Sequence, residues 1–578
     1  MNKLMTHHGA FLNREHPLNE YPRPHFVRSS YLSLNGPWQL TICRGLNREE
    51  LVFQGEIIVP FAVESPLSEV PSDRYQPGDL LIYERELVLD IPKNAASFTL
   101  HFEGIDYDYQ IFLNEELIGA QKGGYEALRI NLPVSGLKKK NHLRVEVFDD
   151  THNNYAEKGK QSLTPGGMWY TPTSGIYQSV WGEFLPRAPI RHFRTSYDFE
   201  KEVLTIVIDA EKDSFPIVLS IPRVGKEDIL LEIRNPVTEI PFPQTRLWSV
   251  DDPFLYDLFL RGETETISGY FGIRQVAIKK RFQYPAVYLN DDPVFLNGLL
   301  DQGYWPESGI TPPSDEALID DLMLAKRLGF NTMRVHMKKA PPRYLFHADR
   351  LGILVIQDLP AGGRYSYLHQ TALPTIGKKR ANDGNYRLFG RHDQENRENF
   401  YRLLLNMIDE FHYSPSLIIW CPFNEGWGQF DAARAYEMIK KVDPTRLVDT
   451  TSGWFDVKKS DFYSVHNYFY KIKVKHLDHR PYFLSEFGGY SYAPEFHTYN
   501  PDKVYGYKKF KDAASYEKAI HKLYSEAIIP AISQGLAGAI YTQVSDVEEE
   551  TNGLISYDRK VLKVNELAFR ALMEKVRY

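Results

Sequence analysis

The sequence predicts two antiparallel β-sandwich domains, the first of jelly-roll type and the second immunoglobulin-like, followed by a (β/α)8 TIM barrel. Three observations carry this. In the first half, short apolar runs alternate with turn residues and no long segment repeats at helical period. From about residue 282, strand-like runs alternate with helical ones, the signature of parallel βα units. Two later runs, Leu417-Ile418-Ile419-Trp420-Cys421-Pro422-Phe423-Asn424-Glu425-Gly426 and Pro481-Tyr482-Phe483-Leu484-Ser485-Glu486-Phe487-Gly488, each stop on a glutamate and then reach glycine. Catalytic side chains of such barrels sit at the C-terminal ends of strands, so Glu425 and Glu486 form a candidate acid/base and nucleophile pair for cleaving sugars.

The chain has 578 residues, enough for several domains with ample core. Hydrophobic residues make up 43% and charged residues 25%, the balance of a globular protein. The net charge of -7 argues against nucleic acid or an anionic membrane as partner; the basic run that stands out, Lys138-Lys139-Lys140, falls in a turn. Aromatics reach 13%, which suits both a sugar cleft and a packed β protein. Two cysteines, Cys43 and Cys421, cannot build a disulfide framework, and Cys421 in an apolar run reads as a small hydrophobe. The N-terminal residues show no apolar signal-peptide core, and no run approaches the roughly 18 apolar residues of a membrane span. The cytoplasm is the expected compartment.

In chain order, residues 1–186 form the predicted jelly-roll. Strands are expected at Arg85–Ile91, Ser97–Glu103, Tyr109–Leu113 and His142–Phe148, with a hairpin around Asn114-Glu115-Glu116. The Gly/Pro-rich stretch Gln161–Tyr177 carries aromatics, Trp169 among them, and suits either reaching into a neighbouring site or packing at a domain junction. Residues 187–281 alternate again, with strands at Leu204–Ile208, Ile217–Ile221 and Asp257–Arg261, and Trp248–Pro253 reads as turn chemistry; the size fits one immunoglobulin-like spacer.

Residues 282–578 supply eight predicted strands: Val294–Leu299, Thr332–His336, Ile353–Leu359, Leu417–Glu425, Leu447–Thr451, Phe462–Asn467, Tyr482–Glu486 and Leu536–Val544. Ser314 caps the first helix, Leu318, Leu322 and Ala325 share its buried face, and Gly329 ends it. Helices after the fifth and sixth strands are weak in the pattern. Asp301, Trp305 and Trp427 fall at the barrel mouth, where they suit either a sugar subsite or packing.

The chain resembles glycoside hydrolase family 2, the β-galactosidases, β-glucuronidases and β-mannosidases. The resemblance rests on Tyr21-Pro22-Arg23-Pro24 with Leu34-Asn35-Gly36-Pro37-Trp38, Trp169–Tyr177, Tyr270-Phe271-Gly272-Ile273-Arg274, Gly329–His336, Phe423–Trp427 and Leu484–Gly489, all in the family's order. It implies Glu425 as general acid/base and Glu486 as nucleophile of a retaining mechanism, with the two carboxyls about 5–5.5 Å apart. It implies further that Asn424 meets the sugar 2-hydroxyl, that Arg334 and His336 hold nucleophile and sugar, and that Tyr468, two residues after His466, contacts the nucleophile.

Departures bear on the sugar. Glucuronidases of the family read the carboxylate with Asn-x-Lys; the matching region, Glu550–Arg559, has none, although Arg or Lys from a loop could substitute. Large β-galactosidases carry an acidic residue before Met-Trp, where Gly166-Gly167 stand here, and they take magnesium ligands after the third strand, where Leu359–Gly363 offers no such side chain. Neither metal nor cofactor is therefore expected. The preferred expectation is a retaining exo-β-glycosidase, first of all a β-galactosidase acting on a carbohydrate glycoside. The alternatives are a β-glucuronidase or another β-hexosidase or pentosidase of the family, and a non-catalytic carbohydrate-binding protein. The family often forms homo-oligomers, but no interface is legible in the chain.

Overall fold

A computed structural model describes residues 4–151, 157–375 and 382–578. The first domain is a sandwich of two antiparallel sheets. One has the order Tyr31–Ser33, Val180–Leu185, Ser97–Phe102, Leu128–Pro133; the other runs Leu51–Val59, Gly36–Cys43, Leu80–Val88, Lys140–Phe148, Asp108–Leu113, Glu116–Lys122. Alternation drives it: Trp38, Leu40 and Ile42 of one strand point inward to meet Tyr83, Ile111 and Val145 in a single core. The strand expected at Arg85–Ile91 begins instead at Leu80, because its ladder to Lys140–Phe148 pairs Leu80 with Phe148. The expected hairpin forms at Asn114-Glu115, where φ values of 49° and 70° give the left-handed pair that matches strand twist.

The second domain packs a sheet of Ile190–Asp198, Val203–Ala210 and Val237–Pro241 on one of Ile229–Ile233, Ile217–Ile221, Tyr256–Arg261 and Thr266–Phe271. Those seven antiparallel strands are the count of a constant-type immunoglobulin sandwich. Its seam with the barrel explains two sequence features. Trp248 is a buried bolt more than a turn residue: its indole N–H donates to the Asp349 carbonyl at 2.7 Å. Tyr270 donates to the Asp349 carboxylate at 2.9 Å, Arg274 reaches the carbonyls of Pro415, Thr445 and Leu417, and a Cβ on Gly272 would meet Pro415 at 2.7 Å. The hairpin Val276–Arg281 and Tyr284–Leu289 then covers the floor of the barrel, with Val287 and Leu289 packed on Leu296 and Ile540.

The barrel strands are β1 (Leu296–Asp301), β2 (Thr332–Val335), β3 (Leu354–Asp358), β4 (Leu417–Cys421), β5 (Leu447–Val448), β6 (Tyr463–Asn467), β7 (Tyr482–Gly488) and β8 (Leu536–Thr542). All neighbours are parallel, in the order β5-β4-β3-β2-β1-β8-β7-β6. β1 starts two residues later than expected because the Val294 amide is held by Val287 of the floor hairpin. Among the described residues no backbone ladder joins β5 to β6; Ser464 Oγ donates to Asp449 Oδ2 across that seam at 2.9 Å. The helix Asp315–Arg327 is capped by Ser314 Oγ on the Ala317 amide, as its sequence predicts. The weak helices do not form: no α-helix of the described residues lies between Val442 and Ala513, and the chain from β6 to β7 is irregular. No helix among the described residues is long and apolar enough to cross a membrane.

Candidate active site

Both glutamates stand at the C-terminal mouth. The β4 chain breaks at Pro422, resumes as Phe423–Asn424 in parallel with Thr451–Ser452, and turns sharply at Glu425, whose φ is 53°. A left-handed glutamate stores strain of a kind found at functional positions; here its amide is anchored on the Ser452 carbonyl at 2.9 Å. Gly426 follows with φ of 74°, and a side chain there would strike Phe455. Glu486 lies within β7, every residue of which is buried. Carboxylate oxygens of Glu425 and Glu486 and a nitrogen of His466 all lie within 4.8 Å of one another. The imidazole links the two acids: Nδ1 is 2.7 Å from Glu425 Oε1, and Nε2 is 3.0 Å from Ser452 Oγ and 3.5 Å from Glu486 Oε1.

The environments of the acids differ. Glu486 Oε1 accepts from Arg334 Nη1 at 3.1 Å and lies 3.4 Å from His336 Nε2, while Oε2 accepts from the Tyr468 hydroxyl at 2.5 Å. Burial alone would raise its pKa, but His466, His336 and Arg334 outweigh burial and hold the carboxyl well below the usual carboxylate range. It is therefore an anion across neutral pH. Arg334 is itself clamped by Asp358 at the end of β3, with both nitrogen–oxygen distances 3.0 Å, and its Nη2 donates to Asn424 Oδ1 at 2.8 Å. One guanidinium thus orders three strand ends. Arg334→Met takes from the buried Asp358 its guanidinium partner, leaving the Met337 amide at 3.3 Å, and removes the permanent cation beside Glu486. Stability falls by about 3–5 kcal/mol in urea titration, and the acidic limb of kcat/KM moves to higher pH, because the folded pKa of Glu486 rises toward its unfolded value. An unmoved acidic limb would contradict this.

A circuit of contacts leads from Glu486 around a second wall. Tyr468 lies 3.0 Å from Thr542 Oγ1; the Gln543 amide donates to Asn552 O at 3.2 Å; Asn552 Nδ2 donates to Glu550 Oε1 at 3.0 Å. Glu550 pairs with Lys160 of the first domain at 3.7 Å and accepts from the Tyr170 hydroxyl, and the charge of Lys160 is felt at His336, back beside Glu486. Among the described residues, the buried side-chain atoms at this mouth with no hydrogen-bond partner include both polar atoms of Gln543, Asn552 Oδ1 and Gln302 Nε2. Buried polar atoms demand partners, and the hydroxyls of a sugar would supply them.

The Gln161–Tyr177 loop does reach the site. Trp169 lines a cleft of about 800 Å³ together with Glu425, Trp454 and Tyr468. It stacks on Trp427 with ring centroids 5.2 Å apart, so Trp427 is the buried backing of an aromatic wall. Asp301 and Trp305 have other company. Asp301 lies against Tyr344 and Lys338, and Trp305 lies under the Arg559 guanidinium, 5.2 Å away. Sequence reasoning missed Asp358, Lys160, Gln543, Glu550 and the serines that support His466, Ser452 and Ser485, whose hydroxyls are 2.9 Å apart. An acidic residue at the end of β3 was the available signal for Asp358; the others depend on which loops meet.

Glu425, His466 and Glu486 are also close enough to share a metal ion. Against that reading, Glu486 already carries the Arg334 guanidinium and the Tyr468 hydroxyl, so its charge is compensated by fixed groups.

A three-domain chain whose barrel presents two buried glutamates at this spacing is a family 2 glycoside hydrolase: residues 280–569 match glycosyl hydrolases family 2, TIM barrel domain, and the chain belongs to that family. Among its relatives, a β-galactosidase of Thermoanaerobacter pseudethanolicus is 23% identical over 446 residues, covering 71% of this chain and 54% of that protein. The chain thus spans about half the length of the curated relatives it matches. Its fold is shared with a β-D-glucuronidase of Dictyoglomus thermophilum (TM-score 0.73, 17% identity, 96% of this chain and 98% of that one). It is shared also with a β-galacturonidase of Eisenbergiella tayi (TM-score 0.69, 16% identity, 95% and 97%).

Proposed function

We propose that the chain is a retaining exo-β-glycosidase that removes a neutral terminal sugar, with β-galactoside the preferred substrate. The observation that carries this is the pair of buried carboxylates within 4.8 Å, one of them held anionic by fixed donors. Oxygens that close suit the double displacement better than the wider separation of an inverting pair. In the first step a Glu486 oxygen attacks the anomeric carbon, the bond to the aglycone oxygen breaks, and Glu425 gives that oxygen its proton. In the second, Glu425 takes a proton from water, the resulting hydroxide attacks the same carbon, and the glycosyl ester breaks to restore the Glu486 carboxylate. Two inversions return the original configuration. Arg334, His336 and Tyr468 hold the nucleophile in line, and Asn424, fixed by Arg334, faces the sugar beside it.

Charge supports a neutral sugar. Lys160 is the cation of the second wall, and Glu550 stands 3.7 Å from it. A Lys–Glu pair suits a hydroxyl, which can accept from one and donate to the other; a uronate would face the Glu550 carboxylate. Lys160 is nonetheless the observation that keeps β-glucuronidase as a second reading. A panel of aryl β-glycosides decides. Galactoside turnover is expected to exceed glucuronide turnover, and Lys160→Met to lower galactoside kcat/KM by about tenfold or more through loss of a buried charged hydrogen bond. Preference for the glucuronide would overturn the sugar assignment while leaving the mechanism standing. Turnover of no glycoside, with sugars still binding, would point to a carbohydrate-binding protein. Two free buried thiols, Cys43 and Cys421, suit a cytoplasmic location, which like any homo-oligomer rests on the sequence reading.

A further inference from the structure

We propose that the cleft beyond the scissile bond is built for an anionic aglycone, an oligosaccharide carrying carboxylates or sulfates on the sugars next to the one removed. The proposal rests on the glycosidase reading above for which end of the substrate lies here.

After β6 the chain takes neither helix nor strand through Lys471-Ile472-Lys473-Val474-Lys475, and burial alternates along it. The period is two. Ile472 and Val474 pack against the barrel core, and Lys471, Lys473 and Lys475 all face outward. Those three ammonium groups line the same cleft as Glu425 and Trp169. Alternate exposure puts the three lysines on one face of the segment, so they form a ladder of positive charge along the cleft. Among the described residues that line this cleft, Glu425 is the sole carboxylate. Among the described residues, none of the three lysines forms an ion pair. The chain as a whole is acidic, at -7, so the basic strip runs against the general surface charge.

Aromatic surface accompanies the charge. Phe469 and Tyr470, just before the ladder, are 61% and 68% exposed, and Tyr367 opposite is 66% exposed; all three line the cleft. Large exposed aromatics at a cleft mouth are faces for sugar rings, and with lysines beside them they suit rings bearing negative substituents. A solvated lysine face would need no shared concavity and no aromatic partners. The terminal-sugar pocket, with its Lys160–Glu550 pair, and this outer cleft therefore differ in charge: neutral inside, basic outside.

The test is binding to the intact protein by calorimetry, with three probes that an exo-β-glycosidase leaves uncut: a trigalacturonate, a sulfated α-linked galactose trisaccharide and its neutral counterpart. At low salt the anionic probes are expected to bind about tenfold tighter than the neutral one, and near 1 M salt, where the Debye length is about 3 Å, the preference is expected to vanish. The triple variant Lys471→Ala, Lys473→Ala, Lys475→Ala is expected to lose the preference at low salt, and Lys473→Arg to keep it. A stronger response to one anionic probe tells carboxylate from sulfate. Equal affinity for charged and neutral probes, or a preference that survives the triple substitution, would overturn the proposal. Turnover of aryl glycosides is read separately. Lysine-dependent binding without any turnover would sink the glycosidase reading and leave the basic cleft; turnover without charge preference would do the reverse.

Discussion

Glu486→Ala is expected to lower kcat on aryl β-galactosides by roughly 10⁴-fold or more, since it removes the group proposed to form the covalent bond. Size at the site is not the reason: alanine is smaller and leaves β7 unbroken. The loss is chemical. Glu486 is an anion because Arg334, His336 and His466 outweigh its burial, and it is aimed because Tyr468 holds its second oxygen. With its pKa held below the usual range, the carboxyl is ionised at every pH between about 5 and 8, so the defect should be equally deep throughout that window. The cavity left by the substitution can admit a small anion. Added azide is then expected to restore turnover of activated glycosides and to yield a glycosyl azide of inverted configuration, because azide replaces one displacement of the two. Residual activity within about tenfold of wild type, or no azide product, would mean that another group is the nucleophile.

How much of this was legible beforehand follows the physics of each residue. Glu425 and Glu486 could be read because strand period, burial and the following glycine are local features. Arg334 and His336 could be reached through the family resemblance, and both lie beside Glu486. Asp358 offered only half a signal: an acidic strand end is visible in the sequence, but its partner is not until Arg334 is seen clamped to it. The Lys160–Glu550 pair joins loops of two domains, and nothing in a linear chain says that residues so far apart will meet; Tyr170 and Glu550, in the same contact, are separated by 380 positions. Asp301 and Trp305 show the converse. A strand-end acid or tryptophan does not announce its neighbours, here Tyr344 for Asp301 and Arg559 for Trp305. The lysine ladder was overlooked for a different reason. Its basic residues are interleaved with Ile472 and Val474, so they form no run, and a weak helix was expected after β6. The period of two, which excludes that helix, was present in the sequence.

Glu425→Gln should separate substrates by leaving group. Glutamine keeps the shape of the side chain and can still meet His466 Nδ1, now 2.7 Å from Glu425 Oε1, but it has no proton to give. A nitrophenolate leaves without help, so the first displacement on a nitrophenyl galactoside survives. The second does not, because water must lose a proton to Glu425 before it can attack. The expected trace is a burst of nitrophenolate equal to the enzyme concentration, followed by a slow steady state. Alkyl and sugar aglycones need protonation to depart, and for them the first step itself is expected to slow by about 10²–10⁴-fold, the usual contribution of a positioned acid. A uniform loss across leaving groups, without a burst, would assign Glu425 to holding His466 and not to proton transfer. The structure argues for proton transfer. The left-handed backbone at Glu425 would be a costly way to seat a side chain whose only task was to hold an imidazole that Ser452 already steadies.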